Sequence, residues 1–130
     1  MQTVKPNVKA MLLCDMVITE KGTGKNSLIG IFESISVKQF PCIYGRMGVY
    51  INFTGALGKY TFRLELVDIE ENVTIGVSTV SDFEVVDKLK TVNLVFILEG
   101  LKFNHPGRYE FRFFANDQIC ENKTFSVEKI

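Results

Sequence analysis

Tryptophan is absent from this chain of 130 residues, histidine occurs once, and proline, cysteine and alanine occur three times each. Each shortage excludes something. Without tryptophan the chain lacks the commonest platform for stacking a sugar ring, and Tyr44 and Tyr50 are the aromatic residues placed to substitute for it. With only His105 there is no second imidazole for a metal site. So few alanines disfavour long helices. Charge of one sign is also lacking, because fifteen Lys plus Arg balance fifteen Asp plus Glu. That balance argues against a nucleic-acid partner or an anionic membrane surface, both of which recruit through a strong field. No apolar run approaches the roughly twenty residues that span a bilayer.

What the chain does contain is β-forming residues. Fourteen Val, eleven Ile, eleven Phe, nine Thr and four Tyr suit a pleated, half-buried surface. A chain of this length buries enough surface for a single core, so residues 1–130 are expected to form one domain. The apolar run from Ala10 to Ile18 would suggest a signal peptide, but Asp15 interrupts it and no small-residue cleavage site follows. Cys14, Cys42 and Cys120 are odd in number and widely spaced, which fits a reducing compartment, so a cytoplasmic protein is expected. Three sequons, at Asn52, Asn72 and Asn122, are the contrary sign. Their threonines, Thr54, Thr74 and Thr124, lie where strands favour β-branched residues.

Alternation of apolar and polar positions between Gly, Asn, Asp and Pro clusters predicts eight or nine strands. Val8 to Thr19 reads as one strand, covered on both faces and joined through the Lys21 to Asn26 loop to a second strand, Leu28 to Val37. Met47 to Phe53 follows, and then Tyr60 to Asp68, with Tyr60, Phe62, Leu64 and Leu66 inward. Asp68 to Asn72 reads as an acidic turn before a strand from Val73 to Val80. Ser81 to Lys90 is open between a short helix, since Ser81 to Glu84 matches a capping box, and extended chain, which Val85-Val86 favours. Thr91 to Leu98, Tyr109 to Ala115 and Gln118 to Glu128 complete the set. The expected fold class is all-β, an antiparallel immunoglobulin-like β-sandwich. Pro106-Gly107-x-Tyr109 resembles the tyrosine corner of immunoglobulin-like and fibronectin-type sandwiches, in which the hydroxyl bonds to backbone a few residues upstream.

No constellation of catalytic residues is assembled by motif. Gly22 to Ser27 fails the phosphate-binding loop, because Thr19 stands where its first glycine belongs and Asn26 follows Lys25 where a hydroxyl is needed. The three cysteines and His105 do not have metal-ligand spacing. His105 reads as a surface-turn residue and no serine has a nucleophile-elbow context. Asp15 and Glu33 are the candidates for paired-carboxylate chemistry, as both interrupt apolar strand stretches expected to be adjacent. No catalytic, cofactor-binding or metal residue is therefore assigned, and no cofactor is expected.

The string Leu12-Leu13-Cys14-Asp15, a Gly-Lys turn, Leu28-Ile29-Gly30-Ile31-Phe32-Glu33-Ser34-Ile35 and Phe40-Pro41, with the closing Pro-Gly-x-Tyr-x-Phe-Arg hairpin, resembles a family of small bacterial proteins of unknown function. The resemblance implies a cytoplasmic β-sandwich and supplies no mechanism. The expected function is a non-enzymatic interaction or accessory domain that meets a protein partner, or itself, through sheet edges or loops. The alternatives are a small-molecule or carbohydrate-binding module and, third, an enzyme using Asp15 and Glu33.

Overall fold

The computed structural model describes residues 4–130. In chain order the strands are β1 (Asn7–Cys14), β2 (Met16–Thr19), β3 (Asn26–Ile29), β4 (Ser34–Val37), β5 (Cys42–Thr54), β6 (Gly58–Asp68), β7 (Val73–Val85), β8 (Val92–Phe103), β9 (Gly107–Ala115) and β10 (Gln118–Lys129). One sheet has the order β1-β5-β8 and a second the order β4-β10-β9-β6-β7, while β2 and β3 form a separate hairpin. The fold is all-β, as the composition predicts, and the sheets are open rather than closed into a barrel. Two details differ from expectation. Among the described residues there are ten strands, and the five-stranded sheet is mixed because β4 runs parallel to β10.

Period-two burial builds the core. On β6 the side chains of Tyr60, Phe62, Leu64 and Leu66 point inward and are buried, and on β9 Tyr109, Phe111 and Phe113 do the same. From the other sheet come Met47, Val49, Ile51 and Phe53 of β5 and Val92, Leu94, Phe96 and Leu98 of β8. Aromatic rings join the two layers: Phe53 lies 5.2 Å from Phe62, Phe103 lies 4.8 Å from Tyr109, and Phe96 lies 6.3 Å from Phe113, centroid to centroid. Such pairs add about 0.5–1.5 kcal/mol each beyond the area they bury.

The N-terminal stretch departs most from the sequence reading, which ran one strand from Val8 to Thr19. Asp15 breaks it: its backbone N–H donates to the carbonyls of Ile29 and Gly30 instead of continuing the ladder with β5. Gly30 has a φ of +71°, and a side chain on it would run into the Asp15 carboxylate, so only glycine fits this corner. The hairpin expected here does form, over Met16 to Thr19 and Asn26 to Ile29, but it stops at Gly30. The chain then changes sheets. Phe32 donates its N–H to the Leu13 carbonyl, and Ser34 to Val37 join β10 as an edge strand.

Ser81 to Val85 continues β7 in extended form, with Asp82 at a φ of +57° near a shift in register between Tyr60 and Phe62. No helix begins there, because Phe83 packs its ring on Phe62 and Val85 is buried, a period of two rather than of 3.6. A tight turn then returns the chain, Leu89 donating its N–H to the Asp87 carboxylate and Lys90 to the Asp87 carbonyl. Among the described residues no helix is long and apolar enough to cross a membrane.

The tyrosine corner is present. Tyr109 is fully buried and its hydroxyl donates to the His105 carbonyl at 2.7 Å. Replacing Tyr109 with Phe is expected to cost about 1–2 kcal/mol, since a half-buried carbonyl loses its donor, whereas Phe113→Ala should cost about 3–5 kcal/mol by opening a cavity between the sheets. Urea unfolding of both variants checks the ranking, and a Phe113→Ala cost no larger than that of Tyr109→Phe would contradict a shared aromatic core.

Candidate binding groove

The structure gives Asp15 and Glu33 separate partners. Asp15 accepts a hydrogen bond at 2.9 Å from the Tyr44 hydroxyl, which burial and then the Asp15 carboxylate push up to about 12. The exposed Glu33 carboxylate lies 3.8 Å from the Lys123 ammonium on β10. The two acids share no hydrogen bond, so the pairing that acid–base chemistry would need is not assembled in this geometry. Cys14 is buried with its thiol 3.6 Å from the Gly48 carbonyl, and burial pushes both it and Cys120 up, which holds each as a thiol. Strand β1 pairs with β5 and not with β10, so Cys14 and Cys120 do not lie on hydrogen-bonded strands. No cluster of three or more metal-ligating side chains occurs among the described residues.

The Gly22 to Ser27 loop is a hairpin turn. Gly22 and Gly24 have positive φ, and Glu20 and Gly24 close it with backbone hydrogen bonds to Lys25 and Glu20 respectively. Its tip forms one wall of a groove of about 550 Å³, whose other wall is the end of β7 and the start of β8. Thr19 and Asn26 line the hairpin side, Lys90, Asn93 and Val95 the β8 side, and Phe83 the β7 side. This size falls in the ordinary range for a small-ligand site.

Polar side chains around the groove hold one another in fixed orientations. The Asn93 carboxamide oxygen accepts from the Tyr50 hydroxyl at 2.9 Å and from the Asn52 amide at 2.5 Å. Across the groove, Thr19 donates its hydroxyl to the Asn26 carboxamide oxygen at 2.7 Å. Of the two tyrosines expected to serve as platforms, Tyr44 is held by Asp15, and Tyr50 reaches the groove only through Asn93. Asn52, named from sequence as a sequon, is part of this network.

A second cluster was missed by the sequence reading. Asp68, the one buried acidic residue among those described, is 3% exposed and lies 2.6 Å from His105 Nε2. On its other side, His105 Nδ1 lies 2.8 Å from the Pro106 carbonyl and 3.5 Å from Glu70. Both ring nitrogens therefore face acceptors, and only the doubly protonated ring can donate to both. The imidazole pKa is raised accordingly, first by the Pro106 carbonyl and then by Asp68 and Glu70, against the opposing effect of burial. Burial, with the charge of Asp68 beside it, pushes the Tyr109 hydroxyl up to about 12. A signal for Asp68 existed: the inward series Tyr60, Phe62, Leu64, Leu66 places position 68 inward on the next step. Nothing local pointed to His105, which is 37 residues away.

With this geometry in place, comparison with known proteins decides the family. The profile of a family of unknown function, DUF6941, matches residues 9–128. The chain belongs to that family. This agrees with the resemblance of its N-terminal and closing motifs to a family with no assigned activity. No curated protein matches. Among solved structures, the chain is similar to the Pseudomonas fluorescens alkylpurine DNA glycosylase AlkC bound to DNA containing an abasic site analogue, with a TM-score of 0.60 and 9% identity over 95% of this chain. The chain spans 30% of the length of that glycosylase, and the likeness is one of fold. It corrects one expectation. Zero net charge had excluded nucleic acid as a partner, but a chain containing this fold is bound to DNA in that structure, so the exclusion does not stand.

The raised His105 pKa has a definite sign for stability. A cation favoured by the folded state contributes fully below the ordinary imidazole value of about 6.5, and its contribution fades as pH climbs through the elevated folded value. The stability advantage of the wild type over His105→Gln is expected to be larger at about pH 6 than at about pH 9. Urea unfolding at both values reads it, and an advantage that grows with pH would refute the charged form.

Proposed function

We propose that this DUF6941 member is a non-enzymatic interaction or accessory domain of immunoglobulin-like architecture, acting in the cytoplasm, with the groove and the hairpin beside it as its binding surface. Strand order and the Tyr109 corner support the architecture. The three unpaired thiols support the compartment.

One observation carries the functional reading. No residue of β2 or β3 is buried, and the hairpin adds no strand to either large sheet. On the face turned away from the groove its apolar residues are exposed: Met16 pairs directly with Ile29 and shares that face with Ile18, and the three are 42%, 48% and 47% exposed, while Val17 on the other face points toward Gly48 of β5. An isolated two-stranded sheet is marginal in water, and an exposed apolar face on it adds cost without helping the fold. Binding explains the expense that packing does not.

Nucleic acid is a second reading, supported by the DNA-bound glycosylase that shares the fold. The two are separable. A photo-crosslinking amino acid at Ile29 is expected to give a discrete adduct in cells, whereas the same group at Val77, which is 57% exposed on β7, should give none. Equal labelling from both positions, or none from Ile29, would sink the interaction surface. For nucleic acid, a labelled duplex carrying an abasic-site analogue should show a saturable rise in anisotropy that weakens with salt. A flat titration at low salt removes that reading.

A further inference from the structure

The groove carries a preference for one kind of ligand, and this rests on reading it as a binding surface. Asn93 has its carboxamide oxygen committed to two donors, Tyr50 and Asn52, so its orientation is fixed. Among the described residues its amide nitrogen donates to nothing. Asn26 repeats the arrangement from the opposite wall, with its oxygen held by the Thr19 hydroxyl and its nitrogen left over. The Asn93 amide is thus left only to donate, and Asn26 offers its amide nitrogen beside an oxygen that Thr19 already engages. Lys90 adds an ammonium group on the same wall as Asn93. Around these donors the lining is apolar, with Phe83, Val86 and Val95 exposing carbon.

From this arrangement we infer that the groove binds a small organic carboxylate with a compact apolar body. The carboxylate would take the Asn26 and Asn93 amides and the Lys90 ammonium, bonds strengthened by its charge. The apolar body would lie against Phe83, Val86 and Val95. A sugar is a poorer match, since no tryptophan offers a stacking face. A polyphosphate backbone is poorer still, because it would press charge against the valines. Glu84 is the acidic side chain that lines the groove, and no ion pair joins it to Lys90. Its carboxylate opposes an anionic ligand, so it supplies an internal control of sign.

Phenylacetate is a suitable probe, with phenylacetamide as its uncharged counterpart. Titration followed by the side-chain NH2 resonances of Asn26 and Asn93 should give saturable shifts with phenylacetate and at least about tenfold weaker binding of the amide. Asn93→Asp, which keeps the shape and replaces donors by acceptors, should weaken phenylacetate by about tenfold or more, and Lys90→Met should weaken it as well. Glu84→Gln should tighten it. Opposite signs from Asn93→Asp and Glu84→Gln are not expected of changes that merely loosen the fold, and a thermal melt of each variant confirms that it is folded. No saturable shift at either asparagine, equal binding of phenylacetamide, or a Glu84→Gln change that weakens binding would overturn the inference. An Ile29 crosslink without phenylacetate binding would leave the outer face of the hairpin standing as an interaction surface and reject this ligand for the groove, whereas phenylacetate binding without the crosslink would keep the groove and reject that face.

Discussion

The aromatic layer between the two sheets is the constraint on which everything else depends. Phe53 and Phe103 reach across from one sheet to Phe62, Phe113, Tyr109 and Phe125 of the other, and these side chains are buried. Close-packed rings tolerate little sliding, so the register of β5, β6, β8 and β9 is set by where the rings meet. Tyr109 belongs to this layer and also ends it. Its ring packs on Phe103 while its hydroxyl holds the His105 carbonyl, which positions the loop that places His105 over Asp68.

The His105 and Asp68 pair closes one end of the core, and its chemistry is that of a clasp. An unpaired carboxylate at 3% exposure would be costly, and His105 Nε2 lies 2.6 Å from it as its partner. Gly107 opens β9 just after this pair with a φ of +143°, a backbone conformation that favours glycine. Position and charge are therefore coupled across two connections, the β6 to β7 turn and the β8 to β9 loop. The groove has a different character. Its polar groups are oriented by one another yet left with spare donors, and it is bounded by a hairpin of which no residue is fully buried. A closed set of hydrogen bonds suits stability, while an open set suits a ligand.

The N-terminal third shows how a local decision produced the groove. Asp15 and Gly30 form a corner that ejects β2 and β3 from the sheet, and the same corner releases Ser34 to Val37 to cross over and pair with β10. A continuous strand from Val8 to Thr19 would have lengthened the three-stranded sheet and left no hairpin wall. The signature string of leucine, cysteine, aspartate and, later, isoleucine and glycine thus coincides with the residues that make this corner.

What was legible in the sequence is what local periodicity governs. Alternation identified the inward face of β6 and the strands that became β8 and β9, the scarcity of alanine and abundance of valine, isoleucine and phenylalanine indicated an all-β chain, and Pro106-Gly107-x-Tyr109 announced the corner. Burial with a period of two is a property of each strand by itself, so a single strand displays it. The tertiary structure alone decided which sheet received Ser34 to Val37, that Asp68 would meet a histidine 37 residues away, and that Asn26 and Asn93 would line one groove. Each of these depends on how separate strands are brought together in space. No residue's immediate neighbours in sequence record that arrangement, because strand pairing is selected by the packing of the whole aromatic core.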